Sequence, residues 1–358
     1  MAMLRVADIT DYLESIAPRR WAFDWDPVGL QIGSPDAPAD RILVALDVNQ
    51  TSLALAEERD SQLLVIHHPL IWKPIAHLRE GNDVEGKVAR IVRGGRSFFG
   101  IHTNWDAAPG GISETLAARL GMTDLEPIGS GATVEQVKVV VFAPGEAREA
   151  LIDAMSAAGA GRIGNYERCA FWSEGTGTFV GNANANPTVG HAEQIESVAE
   201  TRIEMVVDVA RLAAVVKALR EVHPYEEPAY DLVTLRPTVP QPLSRIGNIT
   251  PMTARELVAL ADEQLGAKTW LYGDPDRRIE RLAVSGGAAG SEWVAAKAAG
   301  ADAFLTGEFR HDEGVAGQDQ GFVMMASGHR ETEHPGMEAL AGRLRERFPE
   351  AEVVVALP

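Results

Sequence analysis

The chain has 358 residues, too many for one ordinary hydrophobic core, so two or three domains are expected. Apolar residues make up 46% and charged residues 23%, which is typical of a soluble globular protein. The formal net charge of −18 argues against nucleic acid as the main partner, because an acidic surface repels a phosphate backbone. It does not exclude an anionic substrate, since a bound cation can reverse the field inside a cleft.

The single cysteine, Cys169, excludes an intrachain disulfide and favours a reducing compartment. The first residues lack the apolar stretch of a signal peptide, and no apolar run reaches the roughly 18–20 residues that span a bilayer. We therefore expect a cytoplasmic protein that does not enter a membrane.

The first part of the chain alternates strand and helix signals. The predicted strands are Arg41–Asp47, Leu63–Ile66 and Phe98–Ile101, and the predicted helices are Thr51–Arg59, Val84–Val92 and Ile112–Leu120. Alternation at this spacing is typical of βαβ units and predicts a largely parallel sheet.

The middle of the chain has a different pattern. The predicted strands are Val137–Phe142, Phe171–Trp172, Gly177–Val180, Ile203–Val209 and Ala229–Leu235, with helices at Ala147–Ala158 and Leu212–Val222. The two short strands flank a polar turn, and Pro237, Pro240 and Pro242 mark the exit of the segment. This order resembles a small α+β sandwich of the ferredoxin-like type.

The last part returns to the alternating pattern. The predicted strands are Leu282–Ser285, Ala303–Thr306, Val323–Ala326 and Val353–Ala356, with helices at Ser291–Ala299 and Met337–Arg347. The flanking segments, 1–130 and 238–358, are expected to form one discontinuous α/β domain of two mostly parallel-sheet halves. Residues 131–237 would form the inserted α+β domain.

Histidines and carboxylates follow several of these strands. In an open α/β sheet, ligands bind beyond the carboxyl ends of the strands. The residues at those ends are His67 and His68, His102 and Asp106, Glu308, and His329 and Glu333. Neighbouring side chains on a strand point to opposite faces, so His67 and His68 are expected to diverge and to serve two metals rather than one.

Imidazole and carboxylate together are the ligand set of Zn²⁺, Mn²⁺ or Fe²⁺. Asp106 is the candidate bridge between two such cations, which would acidify a shared water. His329 and Glu333 could share one helical turn, but Pro335 leaves a loop equally open. Each residue alone has a commoner structural role, as a surface histidine, a turn residue or a helix-start carboxylate. Only their occurrence together at strand ends favours a metal site.

Three further motifs have weaker interpretations. Glu308 and His311 could orient a ligand or transfer protons, and ion pairing with Arg310 is the structural alternative. The loop 286–290 (GGAAG) is expected to be a tight turn rather than a phosphate-binding loop, because it lacks the P-loop pattern. For the HPYEEPAYDL run at His223–Leu232, ion pairing or a subunit contact is favoured over a second substrate-binding element.

Four motifs, taken in order, resemble the NIF3-like family, whose members are also called GTP cyclohydrolase 1 type 2 homologues. They are HHPL at His67–Leu70, HTNWDAAPGG at His102–Gly111, TGEFRH at Thr306–His311 and SGHRETE at Ser327–Glu333. The resemblance runs from about Val6 to the C-terminus. The middle segment, with IGNY at Ile163–Tyr166 and the HPYEEPAYDL run, is similar to the PII/CutA-like domain of the longer members.

The resemblance implies a dinuclear metal centre whose ligands are His67, His68, Asp106, His329 and Glu333, with His102 close by. It also implies a toroidal homo-hexamer, a trimer of dimers. Trp105 replaces the usual leucine of the second motif and should not disturb coordination. Phe309 and Asp312 alter the third motif, which puts a role for a second histidine there in doubt.

The function expected from these observations is hydrolysis of an unidentified small-molecule substrate. A metal-activated water would attack a cyclic amide or amidine, as in a purine ring, or a phosphoester, with Glu308 or His102 handling protons. The alternative is a non-catalytic metal-binding or regulatory scaffold whose PII-like insertion senses a ligand or partner.

Overall fold

The computed structural model describes residues 3–134, 136–163, 166–235 and 238–356. Residues 164 and 165 of the IGNY motif and the predicted boundary at residue 237 lie outside them. Within the described residues the strands are β1 (Gly29–Ile32), β2 (Arg41–Ala45), β3 (Leu63–Ile66), β4 (Ser97–Gly100), β5 (Thr123–Val134), β6 (Gln136–Ala143), β7 (Phe171–Val180), β8 (Ile195–Asp208), β9 (Tyr230–Thr234), β10 (Thr238–Thr253), β11 (Trp270–Tyr272), β12 (Arg278–Val284), β13 (Ala303–Thr306), β14 (Val323–Ala326) and β15 (Glu352–Val355). The helices are α1 (Val6–Ile16), α2 (Gln50–Glu58), α3 (Val84–Arg93), α4 (Thr103–Ala107), α5 (Ile112–Arg119), α6 (Arg148–Ala157), α7 (Val209–Val222), α8 (Ala254–Leu265), α9 (Trp293–Ala298), α10 (His311–Asp319) and α11 (His329–Arg347).

The first sheet has the strand order β1-β4-β3-β2-β15. The pairs β15–β2, β2–β3 and β3–β4 are parallel, and β1 is antiparallel to β4. The apolar run of β3 is buried throughout because each face of the strand meets a different core. Leu63 and Val65 pack into one core, and Leu64 and Ile66 pack into the other.

The C-terminal strand completes this first sheet rather than the second. β15 pairs with β2, with Val353 opposite Ile42. Helix α11 packs on the same side through Leu340 and Leu344, which share a core with Val65. The end of the chain thus returns to the strands that carry His67 and His102.

The second sheet has the order β11-β14-β13-β12-β10-β5. Its central pairs, β12–β13 and β13–β14, are parallel, whereas β10 and β11 join it antiparallel. The predicted α/β class is confirmed, with mixed rather than uniform strand direction in this sheet.

The chain forms two compact units, one made of Met1–Ala132 with Gln241–Pro358 and the other of Thr133–Pro240. The second unit runs β6, α6, β7, β8, α7, β9, and its antiparallel sheet has the order β7-β8-β6-β9. This is the β-α-β-β-α-β succession of ferredoxin-like folds. Its core includes Val139, Leu151, Met205 and Leu219, from the sheet and both helices.

One prediction for the second unit is wrong. The sequence suggested two short strands around a polar turn at 173–176, but β7 is one continuous strand. It pairs with β8 from Phe171 opposite Glu204 to Val180 opposite Ile195. Because the partner strand satisfies the backbone groups along the whole length, the polar residues need no turn.

None of the helices in the described parts of the chain combines the length and the apolar character needed to cross a bilayer.

Candidate metal centre

The ends of β3 and β4 fix the first three histidines. The amide of His67 donates to the Ala45 carbonyl at 3.0 Å, and the amide of His68 donates to the Leu46 carbonyl at 2.9 Å. Backbone pairing with the segment at the end of β2 therefore continues past the end of β3. His102 is the N-cap residue of α4, the short helix that also carries Asp106. These residues therefore stand on backbone that the first sheet holds in place.

His329 and Glu333 lie on the first turns of α11, so the helix rather than the loop is correct. The helix runs through Pro335, and Trp105 Nε1 donates a hydrogen bond to the Gly336 carbonyl at 3.1 Å. Proline removes only one helical donor, and buried contacts of Met337 and Leu340 hold the helix on the core. The four-residue spacing then places both side chains on one face.

These elements bring the predicted residues into one histidine cluster, whose members are His67, His68, His102, Asp106, His329 and Glu333. Glu333 is its centre. Its Oε1 lies 3.7 Å from His67 Nε2 and 3.1 Å from His329 Nε2, and its Oε2 lies 3.3 Å from His68 Nε2. Asp106 Oδ1 lies 3.5 Å from His67 Nε2.

The expectation that His67 and His68 diverge is wrong. Their ring centroids are 5.0 Å apart, and their ring nitrogens form one donor group with His102. The extended strand ends at Ile66 and the chain bends at His67 and His68, so the alternation of a strand no longer applies.

Each of the four histidines uses Nδ1 in a hydrogen bond to an oxygen. The pairs are His67 with the Ile101 carbonyl at 2.9 Å, His68 with Asp47 Oδ1 at 2.9 Å, His102 with Asp26 Oδ2 at 3.0 Å and His329 with Glu308 Oε1 at 2.9 Å. An acceptor on Nδ1 fixes the tautomer with the proton there, which leaves Nε2 as a lone-pair donor. All four rings are thus oriented as metal ligands are.

Burial and charge act against each other on the carboxylates. Burial raises the pKa of Asp106 to about 7. Burial also acts to raise the pKa of Glu333, but the surrounding imidazoles, His67 first, hold it well below its usual value.

The carboxylates in turn raise the pKa of two of the imidazoles. Burial acts to lower the pKa of His68, but the neighbouring carboxylates of Asp47 and Glu333 outweigh this and raise it to about 10. The hydrogen bond to Glu333 raises the pKa of His329 to about 9. The cluster therefore attracts positive charge, which protons or a metal ion can supply.

The donor set fits a metal ion by a second criterion. Among the described residues, buried atoms without a hydrogen-bond partner include His67 Nε2, Asp106 Oδ1 and Glu333 Oε2. Unpartnered buried polar atoms are costly, and these three belong to residues close enough together to share a metal ion. Three overlapping groups of donors have their ligand atoms within 4.8 Å of one another: His67 with His68 and His102, His68 with His329 and Glu333, and His67 with Asp106 and Glu333.

The glycine loop at 286–290 is packed against this cluster. Gly287 has φ +63°, and a Cβ there would lie 2.2 Å from Glu333 Oε1 and 3.2 Å from His329 Nε2. The Gly287 Cα has no room for a side chain on this side, and the Gly287 amide donates a hydrogen bond to Thr332 Oγ1 at 3.1 Å. The loop is a tight turn, as predicted, whose glycine leaves room for the ligands.

The weaker predictions have separate outcomes. Glu308 contacts His329 rather than Arg310, and Arg310 instead pairs with Asp312 and Glu313. His311 Nδ1 lies 3.0 Å from the Tyr272 hydroxyl. Glu308 is therefore placed to orient a ligand of the cluster.

Sequence reasoning missed two carboxylates that hold histidines. Asp47 follows β2 at the same carboxyl edge of the sheet, so the strand-end rule could have found it. Asp26 is buried before Pro27 in a loop, where no strand pattern marks it. It accepts hydrogen bonds from the backbone and hydroxyl of Thr103 as well as contacting His102.

The HPYEEPAYDL run lies in the second unit, on a cavity of about 590 Å³. Tyr225, Glu226 and Glu227 line this cavity together with Phe142 and residues 173–179 of β7. His223 anchors the run, because it donates from Nε2 to the Phe142 carbonyl at 2.9 Å and accepts at Nδ1 from the Tyr225 amide at 3.1 Å. The run thus forms a wall of a pocket within its own unit.

Comparisons with known proteins cover nearly the whole chain. The family model Duf34/NIF3 (NGG1p interacting factor 3) matches residues 4–357. A Mycobacterium tuberculosis protein described as a GTP cyclohydrolase 1 type 2 homolog is 36% identical over 356 residues, covering 96% of this chain and 92% of its own. A Bacillus subtilis protein of the same description is 32% identical over 303 residues, covering 84% and 81%. A crystal structure of a Bacillus cereus protein related to NIF3 matches with TM-score 0.80 and 30% identity, covering 100% of this chain and 98% of that one.

Proposed function

This chain belongs to the Duf34/NIF3 family, and from that membership and the histidine cluster we propose that it is a metal-dependent hydrolase with a dinuclear centre. The observation that carries the proposal is the orientation of the four imidazoles. Each Nδ1 is held by an oxygen, so the Nε2 atoms of His67, His68 and His329 are left for a metal and that of His102 for proton transfer. The proposed ligands are His67, His68, Asp106, His329 and Glu333.

Of the three overlapping donor groups, the two that contain Glu333 support two cations rather than one. His68, His329 and Glu333 form one of these groups, and His67, Asp106 and Glu333 form the other. Because Glu333 belongs to both groups, we assign it the bridging role that the sequence suggested for Asp106. The mixture of imidazole nitrogen and carboxylate oxygen suits Zn²⁺, Mn²⁺ or Fe²⁺.

A cation pair at this position would supply a water of lowered pKa as the nucleophile. The proposed reaction is hydrolysis of a cyclic amide or amidine, as in a purine ring, or of a phosphoester. His102 and Glu308 are the groups that would handle protons. His102 Nδ1 contacts the buried carboxylate of Asp26, and the side chain of Glu308 is 59% exposed beside His329, so both groups have a position suited to proton transfer at the site.

Metal analysis and a turnover assay together test the proposal. The protein is purified without chelators or added metals, its metal content is measured, and GTP and a phosphodiester are offered with Mn²⁺ or Zn²⁺. We expect two equivalents of metal per chain and turnover of one substrate class. Absence of metal from the protein after incubation with both ions would contradict the proposal.

The variant Asp106→Ala separates the two bridging assignments. If Glu333 bridges, the variant loses the cation of the His67 group and keeps about one equivalent. Loss of both equivalents would instead make Asp106 the bridge. At saturating metal, Glu308→Gln should hold both equivalents and still lower turnover, which distinguishes proton handling from loss of metal.

A second candidate function has a specific observation in its favour. The cavity of about 590 Å³ in the second unit supports a regulatory scaffold that binds a small molecule there. In that case the metals would be structural, with every coordination position filled by protein atoms. A high-resolution view of the metal-loaded site would decide, since an open or water-filled position supports the hydrolase.

We further propose that the chain assembles as a toroidal homo-hexamer, as the family resemblance implies. Light scattering in solution tests the assembly directly. A mass of six chains is the expected result, and a monomer at micromolar concentration would contradict it.

A further inference from the structure

An aromatic surface adjoins the histidine cluster. It consists of Phe23, Trp25 and Trp72, and we call it the aromatic platform. Phe23 stacks on Trp25 with centroids 5.4 Å apart and planes at 14°, and Trp25 stacks on Trp72 at 6.0 Å and 25°. Both tryptophans also meet the edge of His102, at 6.2 Å and 5.7 Å.

The platform is exposed although it is large and apolar. Trp25 is 62% exposed and Trp72 is 47% exposed. Exposed tryptophan surface gains nothing for folding, and clustered exposed apolar surface commonly marks a binding site. The place of the two rings beside His102 connects this surface with the metal centre.

The backbone under the platform is fixed rather than loose. The Gln31 side chain ties both segments together, because its Nε2 donates to the Pro27 and Ile71 carbonyls at 2.9 and 3.0 Å. Its Oε1 accepts from the amides of Leu70 and Ile71. Asp26, next to Trp25, is held by Thr103 and His102. The rings are thus positioned before any ligand arrives, which lowers the entropic cost of binding.

The charges around the cluster favour one of the two substrate classes. The carboxylates of Asp26, Asp47, Asp106, Glu308 and Glu333 lie in or directly behind the cluster. Five carboxylates would offset the charge of two divalent cations, so little net positive charge is left for a phosphate group. Two basic residues lie nearest to this edge in sequence: Arg310 is already paired with Asp312 and Glu313, which leaves Lys73, exposed next to Trp72, as a single cation.

We propose that the platform binds a planar, uncharged heteroaromatic ring and presents it to the metal centre. This inference rests on the proposed function, because it assigns the substrate class of that same site. It selects the cyclic amide or amidine of a heterocycle over an isolated phosphoester. Flat rings stack on tryptophan faces, and the ring edge would then point past His102 to the cations. Trp25 and Trp72 are specificity-determining residues in this view, and Gln31 is a positioning residue.

The experiment measures saturable binding of guanosine, adenosine and uridine to the metal-loaded protein by ligand-observed NMR. Dimethyl phosphate, which has no ring, is the comparison probe. We expect at least one nucleoside to bind and dimethyl phosphate not to compete with it. Trp25→Ala and Trp72→Ala should each weaken that binding about tenfold, which corresponds to roughly 1.4 kcal/mol of stacking.

Control variants separate stacking from general damage. Trp72→Phe keeps a flat ring and should restore most of the affinity. Trp172→Ala removes a tryptophan of similar exposure, 45%, from the second unit and should leave binding unchanged. The metal content of each platform variant is measured as well, and it should equal that of the unaltered protein.

Several results would overturn the proposal. The first is that none of the three nucleosides binds. The second is that both alanine variants bind the nucleoside with an affinity within twofold of that of the unaltered protein. The third is that dimethyl phosphate binds and the nucleosides do not. A changed molecular mass of Trp25→Ala or Trp72→Ala in light scattering would mark the platform as a subunit contact and also overturn it. An unaltered protein that binds no metal contradicts the proposed function, whereas one that binds metal but no heterocycle contradicts only this inference.

Discussion

The histidine cluster of the first unit and the cavity of the second unit differ in what their polar atoms do. In the cluster, buried atoms of His67, Asp106 and Glu333 lack hydrogen-bond partners within the described residues, and these three residues offer ligand atoms within 4.8 Å of one another. The cavity of about 590 Å³ has a lining that is more apolar than polar, its carboxylates belong to Glu174, Glu200, Glu226 and Glu227, and no histidine is among the described residues that line it. A cavity indicates where a ligand fits, whereas a group of converging, unpartnered donor atoms indicates a candidate metal site.

The histidines of the two regions respond to their surroundings in opposite ways. Carboxylates around His68 and His329 raise the pKa of both. Burial lowers the pKa of His223, whose partners are a carbonyl and an amide. Four predictions follow from this contrast, from the largest expected effect to the smallest.

The variant Glu333→Gln should have the largest effect. It removes the charge shared by two donor groups, so we expect both metal equivalents to be lost and affinity to fall by more than about 100-fold, beyond the range for an orienting residue. Isothermal titration with Zn²⁺ measures the change. The control Glu331→Gln alters a neighbouring carboxylate that pairs with Arg330, and equal losses in the two variants would refute the central role of Glu333.

The variant Gly287→Ala should weaken metal binding next. The added methyl group would lie 2.2 Å from Glu333 Oε1, so the ligand must move, and we expect a loss of about 10- to 100-fold. Gly321→Ala is the matched control, because Gly321 has a similar φ of +66° but no atom within 4 Å of a new Cβ. In both variants, alanine in the left-handed region should lower the free energy of unfolding by about 1–2 kcal/mol, which thermal unfolding measures. Only Gly287→Ala should also lose metal affinity.

The variant Asp47→Asn tests the orientation of His68. The amide can no longer accept the Nδ1 proton as strongly, so we expect about a tenfold loss of affinity for one of the two cations. Asp36→Asn, at an exposed carboxylate that pairs with Arg5, is the control. A full-affinity Asp47→Asn protein would show that this hydrogen bond does not support the site.

Lowering the pH should reduce the stability of the second unit, and this is the smallest of the four effects. Because burial lowers the pKa of His223, this side chain contributes stability above its unfolded pKa of about 6.5, and the contribution is lost as pH falls through the lower folded value. Protonation at Nδ1 would also break the hydrogen bond from the Tyr225 amide.

The measurement is urea unfolding at pH 7.5 and at pH 5, followed by the NMR signal of the Met205 methyl group. The quantity compared is the urea concentration at the midpoint of the transition. The midpoint should fall at pH 5, and His223→Gln should remove most of that dependence. His191→Gln is the control, since His191 is exposed. An unchanged pH dependence in His223→Gln would contradict the assignment.

Strand-end logic predicted much of the site because periodicity and position are local properties. The runs at Leu63–Ile66 and Ala303–Thr306 were predicted at the bounds of β3 and β13. Residues directly after such strands had to lie at a sheet edge, which placed His67, His102 and Glu308 correctly. The single strand β7 was missed because its polar residues resemble a turn, and only pairing with β8 decides otherwise.

The sequence by itself determined the alternating α/β pattern, the strand-end histidines and the family, since these depend on residue type and spacing. Only the tertiary structure decided how those residues combine. It bent the chain at His67 and His68 so that both rings converge, and it extended α11 through Pro335 to bring Glu333 between them. It also placed Asp26 and Asp47 behind the imidazoles and Trp25 beside Trp72. Such distances join residues that are far apart in the chain, and packing rather than local preference sets them.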